Sequence, residues 1–211
     1  MARLTTLGVY CAPQYLRKLR LPALLHLSIN ESSTGSPMKT GGDSLISLPA
    51  LEILKVVANT SSSWLAILSA PYIRVFTLRH IGRGPRGGFS LFRNIHFPAV
   101  QDLSLDYPCT CQVAISALEC VPNAGKVAVS SSLHGEPWGL KILRRVADAE
   151  NMLCPNITHF TLGSPSNRAG VNKTSAKACA QRAIKNRMDG GVRMNHFEIH
   201  FKAHQETIQY A

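Results

Sequence analysis

Apolar positions recur along the chain in one short pattern: apolar, Pro, any residue, apolar, two of any residue, apolar, any residue, apolar. Six copies carry the proline, and weaker copies without it lie at 4–9 and 194–199. The last apolar positions of each copy are spaced like one side of a short strand, because alternate strand side chains point the same way. The pattern therefore predicts strands near 24–29, 51–56, 73–78, 100–105, 126–129, 157–162 and 196–201.

The distance between copies indicates a repeat architecture. The six prolines are separated by 27, 22, 27, 24 and 33 residues, close to the period of leucine-rich repeats. One such unit cannot bury its own apolar side, whereas stacked neighbours can. We therefore predict an α/β fold, an irregular leucine-rich-repeat solenoid of about seven to eight repeats over residues 1–211. Its parallel sheet would lie on the concave side and its helices and loops on the convex side, with strands stacked in chain order.

The segments between the predicted strands have helical or irregular apolar spacing. The longest candidate helices are Trp138–Leu153 and Lys173–Met188, the second of which Gly190 and Gly191 would end. Because a solenoid must close its exposed core, residues 164–211, a basic helix and the last strand, are predicted to form a C-terminal cap. The shorter candidate helices are Ser63–Ser69, Phe89–His96 and Gln112–Cys120.

Composition narrows the class of protein. Apolar residues make up 45% of the chain, enough for a core, and no apolar run approaches the roughly 20 residues of a membrane span. The six cysteines form no C-x-x-C pair and no secretory signal is visible, so we expect reduced thiols and a cytoplasmic or nuclear location. No motif indicates an enzyme, and we predict no catalytic residue, cofactor or metal.

The strand residues that alternate with the apolar ones are the best candidate binding surface. They form a mixed polar row, which is more typical of protein binding than of phosphate binding. A solvated sheet face without a partner would give the same row. The predicted protein-binding residues are His26, Ser28, Asn30, Lys55, Arg79, Asp102, Ser104, Asp106, Lys126, His159, Thr161, His196, Glu198 and His200.

Two motifs suggest other chemistry. Gly82–Gly87 matches G-x-G-x-x-G, and Asp102 or Asp106 follows at about the distance of a ribose-binding acid. The next candidate helix is short, and the same strand-to-helix unit recurs without glycines, which favours a plain loop. His196–His200 places two histidines and a glutamate on one side of a strand, near His159, and such a set can hold zinc. A terminal strand with exposed polar residues gives the same pattern.

The basic charge is concentrated near the C-terminus. The net charge is +11, and residues 164–193 contain seven Lys or Arg and one acid. Such a segment could contact phosphates, which makes a basic nucleic-acid-binding protein the alternative function. Residues 168–193 contain no aromatic side chain that could stack on bases. A solvated helix surface, or one that meets an acidic partner, is the more common origin of such a run.

The repeats resemble the leucine-rich-repeat region of fungal, mushroom-type F-box proteins. The resemblance is carried by the LPALEIL-like copies, by LCPNITHFTLG at 153–163, and by the ending KACAQRAIKNRMDGG followed by HFEIHF. In that family an N-terminal F-box docks on the Skp-type adaptor of a cullin ubiquitin ligase, and the repeats select the substrate. Repeat-like sequence already begins at Leu4, so the resemblance implies adaptor binding only if an F-box precedes the chain. It implies a protein-interaction module, the substrate-recognition part of a ubiquitin-ligase receptor.

Overall fold

The computed structural model describes residues 4–10, 16, 20–30, 45–58, 63–80, 92, 95–106, 111–130, 138–164, 173–201 and 206–210. The longer strands are β1 (Thr6–Val9), β2 (His26–Asn30), β4 (Ile53–Ala58), β6 (Val75–His80), β7 (Asp102–Asp106), β8 (Lys126–Ser130), β9 (His159–Ser164), β10 (His196–Phe201) and β11 (Glu206–Tyr210), and the short pair is β3 (Ile46–Ser47) and β5 (Leu68–Ser69). The helices are α1 (Cys111–Glu119), α2 (Trp138–Val146) and α3 (Lys173–Asp189), with a 3-10 helix at Ser63–Ile67.

Among the described residues, nine strands form one sheet in the order β1-β2-β4-β6-β7-β8-β9-β10-β11. All neighbours from β1 to β10 pair in parallel, which confirms the predicted parallel strands stacked in chain order. The last strand, β11, pairs antiparallel with β10 and has no counterpart in the sequence prediction. The short strands β3 and β5 pair separately, also in parallel. The molecule is therefore an α/β protein built on a large parallel sheet.

The proline of each copy lies in a turn rather than in the strand. The N–H of Leu24 donates to the carbonyl of Leu21 at 3.2 Å, and the N–H of Val100 donates to the carbonyl of Phe97 at 3.3 Å. Proline suits the second position of such a turn because its φ is already fixed there. The predicted strand starts were therefore two residues early in most copies, since residues such as Leu24 enter the core from the turn.

In the large sheet, every parallel strand after β1 begins with the same backbone contact to the segment that starts the preceding strand of that sheet. The N–H groups of Leu25 and His26 both donate to the carbonyl of Thr5, each at 2.9 Å. The N–H groups of Asn195 and His196 do the same to the carbonyl of Thr158, at 2.8 and 3.1 Å. Five intermediate junctions repeat this geometry, with acceptor carbonyls on Leu25, Glu52, Arg74, Gln101 and Gly125. The copies are thus equivalent in backbone geometry as well as in sequence.

Three of the predicted helices are present where the chain is described, with one change of length. The helix predicted over Trp138–Leu153 ends at Val146. Its C-terminal part is instead a turn, in which the Asp148 carboxylate accepts the N–H groups of Glu150 and Asn151 at 3.0 and 3.3 Å. Ser63–Ile67 is 3-10 rather than α-helical. Most of the candidate helix Phe89–His96 lies outside the described residues.

Helix α3 agrees with its prediction in bounds, packing and termination. Its small residues Ala176, Ala180 and Ala183 are fully buried, which allows close packing against α2. Gly191 has φ +80°, and the N–H of Val192 returns to the carbonyl of Arg187 at 2.8 Å. This is a Schellman ending, which needs a left-handed residue and therefore favours glycine.

Arg187, one of the seven Lys and Arg residues of the basic run, is fully buried on α3. Its guanidinium donates to the carbonyl of Val146 at 2.7 Å and to that of Leu153 at 2.9 Å. The neighbouring Asn186 amide donates to the carbonyl of Ala147 at 2.7 Å. These carbonyls lie at and just beyond the C-terminal end of α2, where a cation is favoured by the helix dipole. Burial lowers the pKa of Arg187, and Cys154 counteracts this to a smaller degree. Arg187 therefore fastens α3 to the end of α2.

Candidate functional site: the open face of the sheet

The parallel sheet has one apolar side and one polar side. The inward side chains of the strands share one buried core with the helices. The other side, here called the open face, is formed by the alternating side chains, which are exposed or half-buried. All predicted binding residues lie on the open face, from His26 on β2 to His200 on β10.

Parallel register arranges the open face in three rows that run across the strands. The first row joins Asp102, Lys126, His159 and His196 on four successive strands. The second row, two residues further along each strand, joins Ser104, Ala128, Thr161 and Glu198. The third row joins Arg79, Asp106, Ser130, Gly163 and His200. Residues far apart in sequence therefore become direct neighbours.

The N-terminal part of the open face is partly apolar. Ile53 lies beside Val75 in the first row, and both side chains are half-buried. Val57, also half-buried, lies beside Arg79 in the third row. Between them the second row places the exposed Lys55 beside Thr77 and Ser28. Apolar side chains set among polar ones are a common composition of protein-binding surfaces.

The central part of the open face contains a shallow depression of about 320 Å³. It spans β6 to β10, and its lining includes Ser104, Ala128 and Thr161 of the second row. These side chains are small, so they leave space beside the longer side chains of the first row. The first-row residues that line the depression are Val75, Asp102, Lys126, His159 and His196.

Two carboxylates of β7 have partners on β8. The ammonium group of Lys126 lies 3.9 Å from the Asp102 carboxylate, and both side chains are largely exposed. The Ser130 hydroxyl donates to the Asp106 carboxylate at 2.9 Å. The Lys126 contact is long and solvated, so the ammonium group remains available to a second anion.

Histidines and a glutamate form a cluster at β9 and β10. The Nε2 atoms of His196 and His200 each lie 3.2 Å from the same Glu198 carboxylate oxygen. The His196 ring stacks on that of His159, with centroids 6.2 Å apart. The Nδ1 atom of His159 lies 2.9 Å from the Thr158 hydroxyl. Within the described part of the chain, no group of three or more His, Cys, Asp or Glu side chains is arranged to hold a metal ion.

Two buried thiols of the core have raised pKa values. Burial raises the pKa of the Cys120 thiol to about 12, with a smaller contribution from Glu119. Burial also raises the pKa of Cys154 to about 12, against a smaller opposing effect of Arg187. The Cys154 thiol donates to the carbonyls of Leu118 and Val121, both at 3.3 Å. These thiols are structural, and the alternation of apolar residues around them could not have revealed their backbone contacts.

The remaining sequence candidates are placed as follows. Gly82–Gly87 lies outside the described residues. The exposed cations Lys177, Arg182 and Lys185 lie on α3, away from the open face. Arg182 and Lys185 line a cleft of about 730 Å³ between α2 and α3, together with the acids Asp148 and Glu150. The cleft between the basic segment and α2 is therefore lined by charges of both signs.

Comparison with protein-family models, with curated proteins and with solved structures found no match. Among the described residues, no helix is both long enough and apolar enough to cross a membrane.

Proposed function

We propose that the chain is an irregular leucine-rich-repeat solenoid whose open face is its concave side and binds a partner protein. Parallel strands in chain order, a turn at most prolines and one shared backbone junction per copy support the repeat assignment. One observation supports protein binding best. The core side of the sheet is uniformly apolar, whereas the side chains of the open face differ in chemistry from strand to strand.

The class of partner follows from the chemistry of the open face. Half-buried apolar side chains lie beside Lys55, and polar side chains of both signs surround them. Such a mixture suits a protein surface, in which apolar contacts supply affinity and charges select the partner. The resemblance to fungal F-box proteins extends the proposal: the partner would be a substrate of a ubiquitin ligase. Binding to a Skp-type adaptor would then depend on an F-box preceding this chain.

A matched pair of charge reversals tests the open face. Lys55→Glu changes an exposed cation of the open face, and Lys141→Glu changes an exposed cation of α2. Proteins captured from the native source by each variant would be quantified against the parent chain. We expect a discrete partner that is lost with Lys55→Glu and retained with Lys141→Glu. Capture that is equal for both variants, or lost only with Lys141→Glu, would contradict the proposal.

A basic nucleic-acid-binding protein is the alternative, supported by the exposed cations of α3. A salt series with a generic duplex separates the two functions, because phosphate contacts release counterions and weaken steeply with salt. The cleft beside these cations is mixed in sign, with Asp148 and Glu150 among Arg144, Arg182 and Lys185, and residues 168–193 contain no aromatic side chain that could stack on bases. Protein binding on the open face is therefore the preferred function.

A further inference from the structure

The depression on the open face carries charges whose balance depends on protonation. Its walls include Asp102, Lys126, His159 and His196, and Glu198 and His200 adjoin His196 on the same strand. With neutral imidazoles these six groups carry one net negative charge, and with all three imidazoles protonated they carry two net positive charges. Protonation of the imidazoles therefore reverses the sign of this net charge, and histidine is the side chain whose charge ordinarily changes nearest to neutral pH.

Within the described residues, the register neighbours of the cluster do not offset this change of charge. On β11, the residues in register with Glu198 and His200 are Gln209 and Thr207, neither of which titrates. On β9 the corresponding neighbours are Thr161 and Gly163. Among the described residues that line the depression, the other charged groups are Asp102 on β7 and Lys126 on β8, and the oppositely charged Asp106 and Arg79 lie one row further along the open face.

The geometry also leaves room for an incoming anion. The floor is formed by small side chains, with Ala128 between Ser104 and Thr161. Lys126 is 62% exposed and only 3.9 Å from its carboxylate partner, so a second carboxylate can reach it. The hydroxyls of Ser104 and Thr161 add hydrogen-bond donors along the same wall.

We propose that this depression binds an acidic segment of the partner protein, and binds it more tightly as the pH falls from about 7.5 to about 5.5. Glutamate and aspartate side chains remain largely ionised over this range. Only the receiving surface changes its charge. This inference rests on the proposed protein-binding role of the open face and adds the chemical class of the partner and a regulating condition.

The test uses rhodamine-labelled hexaglutamate as the probe, with hexaglutamine as the uncharged control. Binding to the whole chain would be measured by fluorescence anisotropy at about pH 7.5 and pH 5.5, at a fixed ionic strength of about 0.15 M. We expect hexaglutamate to bind about 10-fold more tightly at the lower pH, from several weak exposed ion pairs acting together. Equal affinity at both pH values, or equal binding of hexaglutamine, would overturn the proposal.

Variants identify the groups responsible. His159→Gln with His196→Gln should remove most of the pH dependence, whereas His96→Gln, an exposed histidine before β7, should retain it. Lys126→Gln should weaken binding at both pH values and leave their ratio unchanged. If the double variant melts at a lower temperature than the parent, His200→Gln replaces it and should reduce the ratio. The proposal would be overturned if the affinity at the lower pH, relative to that at the higher pH, were unchanged in every variant of these three histidines.

Hexaglutamate could instead bind the basic surface of α3. Lys177→Gln with Lys185→Gln tests this, since both side chains are exposed there. We expect this variant to bind as the parent does, and loss of binding in it alone would overturn the assignment to the depression. The natural partner's dependence on Lys55 is measured separately. A failure with hexaglutamate can therefore be told apart from a failure of the proposed function.

Discussion

The two sides of the sheet differ although the same strands form both. On the inner side, one row across the sheet consists only of apolar residues, among them Leu54, Phe76, Leu103 and Phe160, all buried. On the open face, the adjacent row from β4 to β10 consists of lysine, threonine, serine, alanine, threonine and glutamate. The inner side repeats because every copy must fill the same space beside its neighbours. The open face has no such constraint, so its chemistry is free to serve recognition.

The largest expected effect on stability comes from a pair of variants, one with a new charge on the inner side of the sheet and one with a new charge on the open face. Leu103→Asp would put an unpaired carboxylate in the shared core and should lower the free energy of unfolding by about 4 kcal/mol or more. Thr77→Asp, on the neighbouring strand but on the open face, should cost about 1 kcal/mol or less. Urea denaturation followed by circular dichroism measures both. Similar values for the two variants would mean that the sides are not distinct.

Helix α3 allows the same comparison between buried and exposed positions, because its charged residue Arg187 is buried. Arg187→Met removes the donors for the carbonyls of Val146 and Leu153 and should destabilise the chain by about 2–4 kcal/mol. Arg182→Met, on an exposed position of the same helix, should change stability by about 0.5 kcal/mol or less. The same denaturation measurement applies. Equal effects would show that Arg187 does not hold α3 to α2.

Two buried thiols should make the stability of the core depend on pH. The pKa values of Cys120 and Cys154 are raised to about 12 in the fold, from a reference of 9.0, so the folded state keeps protons that the unfolded state loses. Their contribution to stability is therefore fully present below about pH 9 and is lost as the pH rises toward 12. Unfolding free energies between pH 8 and pH 11 should fall, and Cys154→Ala should reduce the slope. If the unfolding free energy of Cys154→Ala fell with pH as steeply as that of the parent, Cys154 would not contribute to the pH dependence.

Brief alkylation at about pH 8 provides a second measurement on the same thiols. Cys179 is only partly buried, whereas Cys120 and Cys154 are buried and remain protonated at that pH. Mass spectrometry after a short exposure to iodoacetamide should therefore find label on Cys179 before it appears on the other two. Faster labelling of Cys154 would show that its surroundings open readily.

The smallest expected effect concerns the ion pair of the open face. Lys126→Gln removes a contact of 3.9 Å between exposed groups and should change the free energy of unfolding by about 0.5 kcal/mol or less. Thermal melting measures this change. A larger loss would mean that the pair stabilises the sheet and is less available for binding.

Strand order and core packing were predictable because they depend on apolar spacing, which the sequence displays directly. The placement of His26, Lys126 and Glu198 on the open face followed from alternation alone. The depression could not be predicted in this way, because it depends on which residues become neighbours across strands. Ala128 contributes to the depression because it lies between two other small residues, Ser104 and Thr161.

Other features escaped prediction for local reasons. The strand starts were misplaced because an apolar residue such as Leu24 can enter the core from a turn as readily as from a strand. The burial of Arg187 could not be predicted, because it depends on carbonyls of α2 and of the segment after it, which are distant in sequence. The hairpin strand β11 carries no copy of the repeat pattern.

The most direct test of the account is site-specific photo-crosslinking on the two sides of the molecule. A benzophenone amino acid would replace Thr77 on the open face in one variant and Lys177 on α3 in another, within the native source. The account predicts a discrete protein adduct from position 77 and none of comparable yield from position 177. Adducts that form from position 177 alone would contradict the assignment of the open face as the binding surface.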